Sequence, residues 1–431
     1  MRILFLTQVL PYPLDAGPKT RAYFVLRYLA QHHQVTLLSF VRATDRPESV
    51  AHLRSFCADV HTVPMHRSTG RDIGHLVRSL ASQKPFLIGR DWVPEMADAA
   101  AKLVQSQQFD AIHADQLPMA QYAMWARQQA AKQSTTPATA QPSIVLDEHN
   151  AVYLIFKRLA STERNPVKRA VLEMEWRKLQ RYEEDVCRRM DKVVWVTQED
   201  WQAMHPGATP TEDDPAVIPI CVDPEGTQPL ATTPHPRRVT FLGGLHYPPN
   251  AQGILWFAEH VFPQVLAQAP DAVLTVIGKQ PPDELRKLGI PAANLEITGY
   301  VDDPLPYLRQ TAAFLAPLFA AGGMRVKILD GWMWGLPIVS TTIGAEGIEI
   351  RPGDNILIAD EAKSFAQAVL VLVQDEQERA RIGRNGRRWL EQAYNWRTTY
   401  RAWDKRYPRT EHHEDPVYRT LHAEPDSRPA V

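Results

Sequence analysis

The sequence predicts an α/β protein built from two doubly wound domains in tandem. Short runs of β-branched and aliphatic residues alternate with longer helical patterns, the mark of βαβ units around a buried parallel sheet. The series runs once through the first half of the chain and starts again in the second. At 431 residues the chain exceeds one ordinary domain, and two domains of roughly 150–200 residues, each with its own core, fit that length.

In the first half, strands are expected at residues 3–7, 35–40, 110–114, 144–147 and 193–197. In the second they are expected at 238–242, 273–277, 295–298, 313–316 and 338–340, with helices over 251–269 and 325–334 between them. Pro224, Pro229, Pro234 and Pro236 sit in a polar stretch, 223–236, that continues neither helix nor ladder, so the linker belongs there. This gives a first domain over 1–222 and a second over 237–395. Residues 133–142, rich in Ser, Thr, Ala and Pro, read as a projecting loop without chemistry. Residues 408–431 are Pro-, His- and charge-rich and read as a disordered tail, with His412 and His413 weak evidence for a metal.

Hydrophobic residues make up 44% of the chain and charged residues 23%, the composition of a folded globular protein. Lys plus Arg, 48, nearly balance Asp plus Glu, 49, which argues against a nucleic-acid binder and requires any anionic ligand to be held locally. Cys57, Cys187 and Cys221 are too few and too scattered for a disulfide framework or a thiolate metal site, and point to a reducing cytoplasm. The apolar start gives way to Pro11 and Pro13 and reads as a strand, not a signal peptide. No stretch reaches the ~20 apolar residues of a membrane span, which leaves peripheral contact at the inner face of a membrane open. Residues 167–190 form one amphipathic helix whose basic residues are interleaved with Glu173, Glu175, Glu183, Glu184 and Asp185, the pattern of a solvated face.

In open α/β sheets ligands bind beyond the carboxyl ends of the strands, so chemistry is sought just after them. The first strand leads into Pro11, Pro13, Asp15, Gly17 and Lys19 and then a helix, which places Gly17 where backbone can approach a phosphate or a sugar. A plain turn explains Gly17 equally well. The dinucleotide fingerprint G-x-G-x-x-G is absent there, which counts against an oxidoreductase. Of the strand-end histidines, His149, flanked by Asp147, Glu148 and Asn150, is favoured over His113. Gly243 and Gly244 join a strand to a helix beginning near Asn250, and their amides suit a diphosphate or simply close packing. Gly278 and Lys279 repeat that pattern. Residues 316–341 read strand, glycine loop, helix, glycine stop, strand: Gly322, Gly323 and Met324 lead to Arg325 and Lys327 in the first turn, Asp330 follows, and Gly335 and Pro337 end the helix. Such a helix start, with Arg325 and Lys327 beside it, suits a diphosphate, and Asp330 suits a ribose diol.

The segment Lys327-Ile-Leu-Asp-Gly-Trp-Met-Trp-Gly-Leu-Pro-Ile-Val resembles the donor-site signature of retaining glycosyltransferase family 4, glycosyl transferases group 1. Phe241-Leu-Gly-Gly, Gly299-Tyr-Val and Gly344-Ala-Glu-Gly resemble other landmarks in matching order, and the likeness spans most of residues 1–407. It implies the GT-B fold, two Rossmann-like domains facing across a cleft, with the helix at 396–407 crossing back to the first domain and domain closure about the linker on donor binding. It further implies transfer of a sugar, with retention and without a bound metal or other cofactor, from a nucleotide sugar to a glycan, lipid-linked or small-molecule acceptor. Asp330 stands where the family has its ribose-binding glutamate, and His149 matches the histidine near the reacting centre. Gly322 stands where a sugar-binding glutamate is often found, and the usual Gly-Arg and Lys pair after the domain's first strand is replaced by Gly243-Gly244-Leu245-His246. Arg325 and Lys327 are then expected to carry the diphosphate charge, with Gly17, Gly243, Gly244, Gly322, Gly323, Met324 and Asp330 at the donor. The glycine at 322 also fits a catalytically silent protein that binds nucleotide sugar or glycan as a regulatory or assembly subunit, and a sugar-nucleotide epimerase or hydrolase is a further alternative.

Overall fold

The computed structural model describes residues 1–133, 141–208, 217–231, 233, 237–320 and 322–408. The predicted tail lies outside the described residues, as do most of the 133–142 loop and part of the linker. The first sheet comprises β1 (Arg2–Thr7), β2 (Gln34–Val41), β3 (Asp59–Pro64), β4 (Ala111–Asp115), β5 (Ser143–Glu148) and β6 (Lys192–Trp195). The second comprises β7 (Arg238–Leu242), β8 (Val273–Ile277), β9 (Leu295–Gly299), β10 (Thr311–Ala316), β11 (Ile338–Ser340) and β12 (Leu357–Ile358). Their orders are β3-β2-β1-β4-β5-β6 and β12-β11-β10-β7-β8-β9, all pairs parallel, so the two halves have the same topology. Each sheet reverses winding direction once, between β1 and β4 and between β7 and β10, and crevices for ligands open at those points.

Near-continuous apolar runs make the central strands: Ile3, Leu4, Phe5 and Leu6 of β1 are fully buried because helices cover both faces. β3 and β12 were not anticipated. β3, at the sheet edge, buries only Val60 and Val63, and β12 is two residues long. The helix expected over 251–269 is instead Pro248–Trp256, a π-helical turn Phe257–Val261 and then Phe262–Leu266. Pro263 explains the change, since it has no N–H for the ladder and its ring crowds the carbonyl four residues back. No helix among the described residues is long and apolar enough to cross a membrane.

Short helical turns at Trp396–Thr399 and Tyr400–Lys405 return the chain to the first domain. Trp396, Tyr400, Trp403 and Tyr407 are fully buried there against the helix Gly17–Ala30, with Phe24 on Trp396 and Tyr28 on Tyr400.

Arg21, fully buried, joins these pieces. Its Nε and Nη2 donate to the two oxygens of Asp147 at 2.9 Å each, and its Nη1 donates to the Pro219 carbonyl at 2.6 Å and the Tyr400 hydroxyl at 3.3 Å. The guanidinium lies over the rings of Tyr400 and Trp403. Burial opposes both charges, but the pairing more than offsets it: Arg21 sits above its ordinary pKa and Asp147 below its own. Arg21→Met would leave a carboxylate buried and unpaired, and it is expected to cost about 3–5 kcal/mol. Urea unfolding of the first domain checks this; an unchanged midpoint would contradict the assignment of Arg21 as the link between the helix, β5 and the returning chain.

Candidate functional site

On the second domain, β7 ends at Leu242 and turns through Gly243 and Gly244 into the helix Pro248–Trp256. Asn250, in the first turn of that helix, donates through Nδ2 to the Gly244 carbonyl at 2.8 Å and accepts from Lys327 Nζ at 2.9 Å. The same ammonium lies 4.1 Å from the Phe241 ring centre, and a Cβ on Gly243 would stand 3.1 Å from it. Glycine at 243 thus leaves room for a cation at the carboxyl end of β7, beside the β7/β10 crevice. Burial pushes Lys327 down to about 7, with the charge on Arg325 adding and Asp330 opposing. Asp330, one turn further along the helix Val326–Met333, is pushed up to about 7 by burial, with Lys327 opposing. Both groups therefore hold their charge weakly near neutral pH, and an anion reaching Lys327 would restore its proton.

The glycine loop before this helix does different work from that expected. The helix begins at Val326, so Gly322 and Gly323 are not its first amides. They lie where the domains meet. Gly323 has φ +67°, and a Cβ there would come within 2.6 Å of the His149 carbonyl oxygen; one on Gly322 would come within 2.6 Å of Ile155. Arg325 is also redirected. Its Nη1 donates to the carbonyls of Gly322 and Gly323 at 2.6 Å each, and its Nη2 lies 3.6 Å from Glu346, so the buried guanidinium braces the loop, while its Nε has no hydrogen-bond partner among the described residues. Met324 is buried, and its sulfur accepts the Ile220 N–H at 3.3 Å.

Facing this loop on the first domain, His149 follows β5 and is 6% exposed. Its Nε2 lies 2.9 Å from Asp115 Oδ1 at the end of β4, and its buried Nδ1 has no hydrogen-bond partner among the described residues. Burial pushes the Asp115 carboxyl up, with His149 opposing. Parallel register sets Thr7, Asp115 and Asp147 side by side at the ends of β1, β4 and β5, which is how a strand-end histidine acquires an acidic partner 34 residues away. Gly17 reaches the same place: a Cβ on it would lie 3.0 Å from Val326. The structure therefore brings Gly17, His149, Gly322, Gly323 and the start of the Val326–Met333 helix together, and groups Gly243, Gly244 and Lys327 beside them.

His113 is a core residue. It stacks on Phe5 at 4.1 Å, its Nδ1 meets the Tyr407 hydroxyl at 2.7 Å, and burial, opposed by Asp147, pushes it down to about 3. His113, Asp115 and Asp147 place possible metal-ligand atoms within 4.8 Å of one another. Both oxygens of Asp147 are already taken by Arg21, Asp115 Oδ1 by His149 and His113 Nδ1 by Tyr407. The Lys279 ammonium lies over the Tyr300 ring, and its carbonyl accepts the Leu245 N–H at 2.9 Å, beside the Gly243-Gly244 turn. Sequence reasoning missed Asn250 as a ligand-side group, Asp115 as the partner of His149, and Glu346. Glu346 sits in the Gly344-Ala-Glu-Gly landmark and forms a two-pronged pair with Arg158 of the first domain, at 2.6 and 2.7 Å.

Behind the His149 loop lie the buried carboxyls of Glu148, Glu183 and Asp200. Glu183 accepts the N–H groups of Val152 and Tyr153, and Asp200 that of Ala151, so they cap the helix Val152–Thr162. Burial pushes Glu183 up to about 8, opposed by those two amides, and pushes Glu148 up as well, with Glu183 adding to the effect. A carboxyl raised above its unfolded value contributes stability that is complete below about pH 4.3 and is lost as pH rises through its folded value. Melting temperature is therefore expected to fall between about pH 5 and 9, and Glu183→Gln, which keeps an acceptor without the charge, to flatten that fall; parallel pH profiles for the two proteins would refute this.

Residues 236–375 match the family described as glycosyl transferases group 1. The chain is 26% identical over 234 residues to an uncharacterized 44.6 kDa protein in the cps region of Klebsiella pneumoniae, covering 52% of this chain and 58% of that one. It is 27% identical over 149 residues to the phosphatidyl-myo-inositol mannosyltransferase of Mycolicibacterium smegmatis, covering 33% of this chain and 38% of that one. The matched regions thus span less than two thirds of either relative's length. Among solved structures, HepE of Anabaena in complex with UDP and glucose superposes with a TM-score of 0.64 at 16% identity, over 94% of this chain and 99% of that one. The whole chain therefore has the GT-B fold, and its second domain carries the sequence pattern of glycosyl transferases group 1.

Proposed function

We propose that the chain is a retaining glycosyltransferase that takes a sugar from a nucleoside diphosphate bound on the second domain and passes it to an acceptor entering from the first. The observation that carries this reading is the cradle at the β7/β10 crevice: the Lys327 ammonium held by Asn250 against the Gly243 turn, with Asp330 one turn further on. A cation beside glycine backbone and a helix start is suited to a diphosphate, and a carboxyl one turn along to a ribose diol. The group 1 pattern over residues 236–375 and the GT-B fold support the same site.

In this mechanism the bond between the anomeric carbon and the diphosphate oxygen breaks while the acceptor oxygen bonds that carbon on the same face. The acceptor proton passes to the departing phosphate, and no protein nucleophile is assigned. Lys327 and the amides of the Val326–Met333 helix stabilise the charge growing on the leaving group, so the chain's own cation serves in place of a metal. His149, oriented through Nε2 by Asp115, presents Nδ1 to the reacting sugar. A second reading, binding of a nucleotide sugar without turnover, draws on Gly322 and on the inward engagement of Arg325.

A thermal-shift panel of UDP, GDP, ADP and their sugar conjugates tests the site. One nucleotide class is expected to stabilise the protein, and Lys327→Ala and Asp330→Ala each to weaken its binding by about 10- to 100-fold, the loss of one charge-assisted interaction. No response to any nucleotide would remove the donor site. Donor turnover separates the two readings: His149→Ala is expected to lower turnover with nucleotide binding retained, whereas a wild-type protein that binds donor and consumes none of it with any acceptor class is a binding subunit.

A further inference from the structure

On the rim of the first domain, arginines gather around one carboxylate. Asp91 is buried at the end of the short helix Phe86–Arg90, where the Tyr122 hydroxyl donates to its carbonyl at 2.6 Å and fixes it. Its Oδ1 accepts from Arg67 Nη2 at 2.8 Å and from Arg90 Nε at 2.9 Å, and its Oδ2 accepts from Gln8 Nε2 at 2.6 Å. One guanidinium would neutralise this acid, so the second is in excess. Arg67 makes no other hydrogen bond among the described residues, and its side chain is 38% exposed, which leaves donors for another partner. Arg42, exposed directly after β2, makes no ion pair among the described residues. Burial holds Arg67 below its ordinary pKa, with the charges of Arg90 and Arg42 adding and Asp91 and, more weakly, Asp72 opposing. Like charges are thus crowded here with donors unused, an arrangement that an anion would relieve.

Gln8 follows β1, Arg42 follows β2 and Arg67 lies shortly past β3, so the cluster sits at the carboxyl ends of three neighbouring strands. His149 follows β5 on the same edge. Adjacent strands lie about 4.8 Å apart, and the steps from β2 through β1 and β4 to β5 put the cluster on the order of 15 Å from His149 along the rim. We infer that Arg42, Arg67 and Arg90 form an anion subsite that holds the phosphate or diphosphate of a phosphorylated acceptor on the first domain. Arginine suits this task, because Asp91 anchors two of the guanidiniums and leaves N–H groups of each for phosphate oxygens. The separation from His149 places that phosphate beyond the sugar whose hydroxyl reacts. A sugar phosphate in solution and a sugar carried on a lipid diphosphate share this chemistry. The subsite stands on its own geometry; its assignment to the acceptor rests on the transferase reading.

Calorimetric titration with pyrophosphate tests the subsite on the full chain, in a Lys327→Ala background that removes the donor cation. That variant is expected still to bind pyrophosphate, and Arg42→Gln/Arg67→Gln added to it to weaken binding about tenfold or more. Asp91 keeps Arg90 and Gln8 after these substitutions, so thermal unfolding is expected to stay close to that of the parent. Lys327→Ala protein that ignores pyrophosphate, or equal binding after loss of both arginines, would overturn the subsite. Turnover of the stabilising nucleotide sugar then assigns it, with a sugar 1-phosphate, a polyprenyl-diphosphate sugar in detergent and the free sugar compared as acceptors. One of the two phosphorylated forms is expected to be used, which names the source, and Arg42→Gln/Arg67→Gln to raise KM for it about tenfold. Free sugar used equally well, or an unchanged KM, would refute the acceptor assignment. Absence of all turnover would remove the transferase reading and that assignment with it, while the pyrophosphate titration decides the subsite regardless.

Discussion

The arrangement of the cleft depends on one buried ion pair. Asp147 is the penultimate residue of β5, two residues before His149, and Arg21 lies four residues after Gly17. Joining them fixes the two first-domain loops that face the second domain. The remaining Arg21 donors hold the Pro219 carbonyl, on the chain leaving for the second domain, and the Tyr400 hydroxyl, on the chain returning from it. A guanidinium suits this position because its planar fork satisfies a carboxylate with one edge and keeps donors for two further oxygens, which a lysine ammonium cannot match in geometry. Replacing the pair by apolar side chains would preserve packing, yet it would lose the directional bonds that relate the helix, the strand and both crossings.

With those crossings fixed, the two crevices face each other, and an apolar cluster joins the domains, in which Val196, Ile220 and Val222 of the first pack with Met324, Ile328 and Trp332 of the second. Glycine at 323 lets the loop pass the His149 carbonyl, and glycine at 347 packs against Thr197. Charge enters the interface where Arg158 and Glu346 pair, with Arg325 behind Glu346. The shared apolar cluster holds the domains together more than that partly exposed ion pair does, since such pairs contribute only about 0–1 kcal/mol.

Central strands were legible in the sequence because burial on both faces forces continuous apolar runs. The edge strands β3 and β12 were not, because β3 buries only Val60 and Val63, without a continuous run or an alternation, and β12 is too short to carry a pattern. Gly243, Lys327, Asp330 and His149 were legible as chemistry at strand ends and helix starts. What each of them touches was not. Asn250 and Lys327 are 77 residues apart and Arg158 and Glu346 are 188 apart, and only the sheet register and the domain crossing decide those pairs. Arg325 shows the limit most plainly: a basic residue at a helix start reads as an anion ligand, but the carbonyls of Gly322 and Gly323, left without partners by the turn, reach it first.

Gly322 is the position where the chain departs most from the pattern it resembles, and the packing accounts for that departure. The volume a side chain would need there is filled by Ile155 from the helix Val152–Thr162, which Glu183 and Asp200 hold in place through its first amides. A carboxylate at 322 would have to displace Ile155, and it would set a charge against a half-buried apolar side chain. The loss of that carboxylate and the presence of Ile155 are therefore one structural choice. On the opposite wall Asn150 and the His149 carbonyl stand against Gly323, so the same helix and loop of the first domain close against both glycines.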